Sequence, residues 1–164
     1  MTSVHAFLLS GLLIVAIFAN GLLAGLFFVF DVAISPALRR VDDVTYIRMF
    51  RGINRAILNG RFLTVFFVAP VAAVVCLVLH LVEGSGGALP LILGGAVCSV
   101  LTFGITAAGN VPLNQDLDGA PIDTEHQRRA VRQKFESRWN RWNLARTVTS
   151  AGALALLAIA SVAG

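Results

Sequence analysis

The densest chemistry in the chain is the run Arg138-Trp139-Asn140-Arg141-Trp142-Asn143-Leu144-Ala145-Arg146. Trp139, Trp142, Asn143 and Arg146 stand at i, i+3, i+4 and i+7, so a helix would show two indoles, a carboxamide and a guanidinium on one face. A planar aromatic ligand carrying oxygen atoms suits that face. The competing reading is anchorage, because tryptophan and arginine near the end of a membrane span are ordinary interfacial residues. Upstream, Gly109-Asn110-Val111-Pro112-Leu113-Asn114 sets two amides around a proline. That is turn chemistry and predicts a break in the helix there.

The elements that must position these groups are membrane spans. Val4–Phe30, Phe62–Val82, Leu89–Ala108 and Ala145–Val162 each approach the roughly 20 apolar residues that a bilayer core requires. All thirteen basic residues fall in Arg39–Arg61 and Arg128–Arg146. Arginine and lysine near span ends favour the cytoplasmic side, which puts both basic loops inside and the Glu83–Ala88 hairpin and both termini outside. The first span has no positive leader and reads as an uncleaved anchor in a multi-pass plasma membrane protein. At 164 residues the expectation is one domain, residues 1–164, an all-α integral membrane four-helix bundle. The net charge of +4 is interspersed with acids such as Asp42, Asp116 and Glu136, so anionic lipid headgroups are the expected partner rather than nucleic acid.

Inside the spans, Gly21 and Gly25 form a small-xxx-small pattern that lets a backbone approach closely, within the bundle or between protomers of a homo-oligomer; Gly94 and Gly95 are a second candidate. Pro70 predicts a kink. Asn20 is expected to face the bundle interior and to bond another helix, through Ser99, Thr102 or Thr106, or else a ligand. Cys76 and Cys98 read as small packing residues, with a redox pair as the minor alternative. In the first loop, Tyr46, Met49, Phe50, Ile53, Ala56 and Ile57 recur at helical spacing between Asp42 and Asn59, an amphipathic interfacial helix capped by Asp42 or Asp43 and stopped at Asn59-Gly60. From an N-cap at Asp123 or Thr124, Val131, Phe135, Trp139 and Trp142 form a stripe that runs into the fourth span, so that helix extends far into the cytoplasm.

Three motifs in order carry a family resemblance: Met49-Phe-x-x-Ile-Asn-Arg-Ala-Ile-x-Asn59, then Asn110-Val-Pro-Leu-Asn114, then Trp139-Asn-Arg-Trp142-Asn143-Leu-Ala-Arg146. The chain resembles the anthrone oxygenase family of small four-span membrane proteins along nearly its whole length. Gly60 stands where the family commonly has proline. Fungal members oxidise polyketide anthrones to anthraquinones with molecular oxygen, and the resemblance implies a related, cofactor-independent oxidation of a lipophilic aromatic, anthrone- or quinone-type molecule.

Such a reaction needs a base, an oxyanion partner and an aromatic slot. Arg146 is the candidate oxyanion partner, since a guanidinium holds planar oxygen groups well. Asn110, Asn114 and Asn143 supply further hydrogen bonds, and Trp139 and Trp142 stack the rings. Asn54, Arg51 and Arg61 approach the same mouth from the first loop. Asp31 is the candidate base, with an ion pair to a loop arginine as its alternative role. His126 reads as solvated surface. No metal is expected from three scattered histidines, although His5 and His80, both near the outer face, stay open as a haem or copper pair. A non-catalytic membrane protein that binds lipid or a small hydrophobic ligand, or assists assembly of a complex, is the rival class. Proton-coupled transport is disfavoured, since the spans hold no Asp, Glu or Lys and Arg146 stands at a span end.

Overall fold

The computed structural model describes residues 3–83 and 87–163, which contain helices and no strand. Side chains of residues 3–6 and of Glu83 lie outside what is described, as does most of the Glu83–Ala88 connection. In order, the elements are α1 (Ser3–Val29), a π turn (Phe30–Ile34), α2 (Ser35–Leu38), α3 (Asp43–Ile57), α4 (Gly60–Glu83), α5 (Leu89–Ile105), a second π turn (Thr106–Asn110), α6 (Val111–Gly119) and α7 (Glu125–Ala163).

Four stretches have the length and apolarity to cross a bilayer: Phe7–Leu38, Gly60–Val82, Leu89–Gly119 and Glu125–Ala163. Their outward faces carry Phe18, Phe28, Phe67, Val71, Leu93, Val148 and Ile159, all exposed in the isolated chain. Lipid is the solvent that tolerates such a surface, and a helix is the form that satisfies every backbone group within it. The chain is a multi-pass membrane protein. α1 and α5 each lie between α4 and α7, so they stand at opposite corners of a four-helix bundle.

Small residues set the closest approaches, though not all the expected ones. A Cβ on Gly95 would lie 2.6 Å from Cγ of the fully buried Leu157, and one on Gly21 would make ordinary contact with Leu154 at 3.5 Å. Gly25 meets nothing, so the small-xxx-small pattern of α1 is used at one position only. Gly95→Ala is therefore expected to cost about 1–3 kcal/mol by overpacking, read as a lowered unfolding midpoint in detergent, and Leu157→Ala in the same chain should recover part of it. Pro70 sits inside α4 without ending it.

Asn20 is fully buried, as an intramembrane amide should be, but its Nδ2 donates to Ala16 O of its own helix at 2.9 Å. The interhelical bond falls instead to Thr102 of α5 and Thr149 of α7, whose hydroxyls are 2.7 Å apart. Cys76 and Cys98 are both free thiols.

The predicted break at Gly109–Asn114 is not a turn. Proline lacks the N–H that bonds four residues back, and its ring crowds that carbonyl. Pro112 and Pro36 both lie two residues beyond a π turn, and in each case the preceding residue bonds five back: Val111 N to Thr106 O, and Ser35 N to Phe30 O. The wider turn absorbs the proline, so each helix continues to the end of the bundle where the basic loops gather.

At that end α3 is not loose on a surface. Tyr46, Ile47 and Phe50 are buried against Phe30, Leu38, Leu113, Leu117, Phe135 and Trp139, while Met49 and Ala56 face outward. Phe50 meets Phe135 and Trp139 edge to face, both at 4.8 Å. Burial raises the Tyr46 phenol well above its ordinary range, so it stays protonated under all working conditions. Asp42 caps α3, accepting from Thr45 N at 3.0 Å. Asn59 does more than stop α3: its side chain caps α4 by accepting from Phe62 N. Thr124 and Gln127 exchange reciprocal bonds at the start of α7, a capping box.

Candidate functional site

One stripe of α7 faces inward and carries, from the basic end towards the membrane, Phe135, Trp139, Asn143, Arg146, Ser150 and Ala153. Three of the four residues expected to share a face, Trp139, Asn143 and Arg146, do so. Trp142 does not. It is 41% exposed and turned towards the second π turn, where a Cβ on Gly109 would lie 2.6 Å from its ring. A residue at i+3 falls on the edge of a helical stripe, and the glycine gives it room to leave.

Asn143 is the hub. Fully buried, it donates through Nδ2 to Phe27 O at 2.9 Å and to Asp31 Oδ1 at 2.6 Å, and through Oδ1 it accepts from Arg146 at 2.7 Å. Asp31 Oδ2 accepts from the Thr147 hydroxyl, also at 2.6 Å. Asp31 is thus held by α7, not by a loop arginine. It reaches this position because the first π turn, of which it is the second residue, lies against α7. Thr147 and Phe27 were missed from the sequence; the signal was present, since each stands four residues from a recognised member, Asn143 and Asp31.

The Arg146 guanidinium is 6% exposed and lies between two rings, 4.2 Å from the centre of Phe27 and 5.3 Å from that of Trp139. Cation–π attraction is worth about 2 kcal/mol or more when desolvated, which offsets part of the cost of burying the charge. The remaining countercharge, Asp31, reaches it through Asn143. Arg146 Nε is buried with no acceptor in the protein. Asn110, on the second π turn, is fully buried; its Nδ2 donates to Trp139 O at 3.4 Å and its Oδ1 has no donor. Buried polar groups without partners are rare enough to demand a reason.

The expected aromatic slot between two indoles is not formed. Trp139 is packed among Phe30, Phe50 and Phe135, at 5.3, 4.8 and 6.2 Å, and its indole N–H donates to Asn114 Oδ1 at 2.9 Å. Asn54 and Asn114 lie together on a separate open groove between α3 and α6. Arg51 is a brace: it donates to Leu117 O at 2.8 Å and Ala120 O at 2.6 Å, two carbonyls at the end of α6. Arg132, not singled out from the sequence, braces the other side by binding Val41 O, Arg39 O, Asp43 and Glu136. Arg61 is exposed and joins neither group. Among the described residues no cluster of three or more His, Cys, Asp or Glu comes together, and the His5 side chain lies outside them.

The sequence model of the anthrone oxygenase family matches residues 60–156, more than half of the chain. The chain belongs to the anthrone oxygenase family. No curated protein and no solved structure matches it. Within the anthrone oxygenase match fall Asn110, Asn114, Trp139, Asn143 and Arg146, whereas Asp31, Arg51 and Asn54 precede it. The buried cluster therefore joins the matched part of the chain to Phe27 of α1 and to Asp31 of the first π turn.

Proposed function

We propose that this anthrone oxygenase family member is a membrane-embedded oxygenase that acts on a lipophilic aromatic molecule of anthrone or quinone type at the cytoplasmic interface. The observation that supports it most is Arg146 Nε, a donor kept out of water and aimed at no protein acceptor. The basic loops at this end favour the cytoplasmic side and anionic headgroups.

An oxidation of this class consumes one dioxygen per substrate. A base removes a proton from the methylene of the central ring, and the charge delocalises onto the ring oxygen, where a guanidinium N–H stabilises it. The anion passes one electron to dioxygen; the resulting radical and superoxide combine into a carbon–oxygen bond. The peroxide takes back the proton. Loss of the second methylene hydrogen as a proton then breaks the oxygen–oxygen bond, leaving a carbonyl and releasing water.

Asp31 suits the base because it is half-exposed at the edge of the cluster. Its Oδ2 is freed when the Thr147 hydroxyl turns fully to its second acceptor, Asn143 O at 3.1 Å. Arg146 supplies the oxyanion partner, and Asn143 holds base and cation at a fixed separation. A positioned acid or base contributes about a hundredfold or more. Oxygen uptake by purified protein with emodin anthrone should exceed autoxidation, and Asp31→Asn should remove about 99% of that excess. Uptake at the rate of a protein-free control would sink the reading in favour of a non-catalytic binding protein.

A further inference from the structure

The buried cluster is shut, and a groove that combines amide donors with apolar walls lies elsewhere. Its volume is about 450 Å³, inside the range of small-molecule sites. α3 supplies Asn54 and Ile57, followed by Leu58; α6 supplies Val111, Asn114 and Asp118. Grooves of similar size along α4 have only apolar walls, as lipid-facing grooves do.

Three observations define what the groove would take. Asn54 Nδ2 is buried without a partner. Asn114 Oδ1 is engaged by the Trp139 indole, which can only donate, so the amide N–H₂ of Asn114 is the end left for a ligand. Both free groups are therefore donors, and the matching ligand edge is an acceptor oxygen. The nearest cation, Arg55, is paired with Asp118 at 2.8 Å, so nothing here favours an anion. Leu58 and Val111 are exposed and adjoin the start of α4 and the end of the second π turn, so the groove opens where two spans leave the bilayer.

We propose that the α3–α6 groove binds a neutral, flat, carbonyl-bearing amphiphile that enters from the membrane interface, held by the amides of Asn54 and Asn114. Arg51 keeps the two walls at a fixed spacing through its bonds to the end of α6. Trp139 touches both sites, bonding Asn114 through its N–H and lying beneath Arg146 with its ring. Binding here goes beyond the oxygenase reading: the groove seats an organic ligand apart from Asp31 and Arg146 and does not depend on the chemistry at that cluster.

Trp139 is also the reporter. In a Trp142→Phe protein it is the sole tryptophan. Titration with menadione, a neutral quinone with no methylene proton to lose, should quench its emission saturably after correction for absorbance. Asn54→Ala should weaken that binding about five- to tenfold, the value of one hydrogen bond, and Ile57→Phe, which narrows the groove, should weaken it further. Quenching that rises in proportion to menadione without saturating, or a curve unchanged by both substitutions, would overturn the proposal. Binding does not depend on turnover: saturable quenching beside absent oxygen uptake upholds the groove and removes the enzyme, and the reverse pattern removes the groove.

Discussion

Arg146→Met is expected to lower kcat/KM for oxygen uptake by about 10²–10³, the usual cost of removing one preorganised oxyanion donor, while the protein keeps its helical circular dichroism and monodisperse elution. Methionine has nearly the same reach and can lie between Phe27 and Trp139 as the guanidinium does. Replacing a whole buried ion pair with packed apolar groups is often close to neutral for stability, and here the partner left behind, Asp31, is only half-buried and can be solvated. The loss is one acceptor left without its donor on Asn143, about 1–3 kcal/mol, set against the desolvation that the charge no longer suffers. Oxygen uptake within threefold of the parent would mean that the guanidinium takes no part in the reaction.

Asn143→Ala should do the opposite, damaging fold and activity together. A neutral interhelical hydrogen bond in a membrane averages only about 0.6 kcal/mol, and the two that Asn143 makes beyond α7 would be a modest loss at that value. Two of the three partners here, however, are charged, and both would stay buried or half-buried without the amide that links them. Stranding such groups costs about 3–5 kcal/mol, a large share of the roughly 5–15 kcal/mol that holds a domain together. Thermal unfolding in detergent should show a midpoint lowered well beyond that of Arg146→Met. Equal midpoints for the two variants would contradict the hub role.

Much of the bundle was legible because apolar length and charge placement are properties of contiguous sequence. The four spans, the helix in the first loop and the long reach of α7 all derive from them. Capping was legible to within one residue, since Asp42 and Thr124 are the residue types that accept from the first free N–H groups. What could not be read were choices between equally satisfying partners. Asn20 bonds its own helix at i−4 and not a neighbour, and both outcomes leave its amide donor paired. Arg51 looked like a ligand contact and is a brace, because the carbonyls it serves are exposed only by where α6 happens to end. Trp142 left the shared face for want of a side chain on Gly109, a residue too far away in sequence to be weighed with it. The amides at Asn110 and Asn114 were recognised, but their proline pointed to a turn where the helix instead widens.

That widening bears on descent. A π turn within an α-helix amounts to one extra residue, and every side chain beyond it is rotated by about a third of a revolution relative to an uninterrupted helix. Asp31 and Asn110 each sit in such an insertion, at opposite corners of the bundle. Kindred chains lacking either extra residue would present a different face to α7 however similar their composition. When such chains are aligned, a one-position gap within residues 30–34 or 106–110 should separate those that can assemble this cluster from those that merely share its architecture.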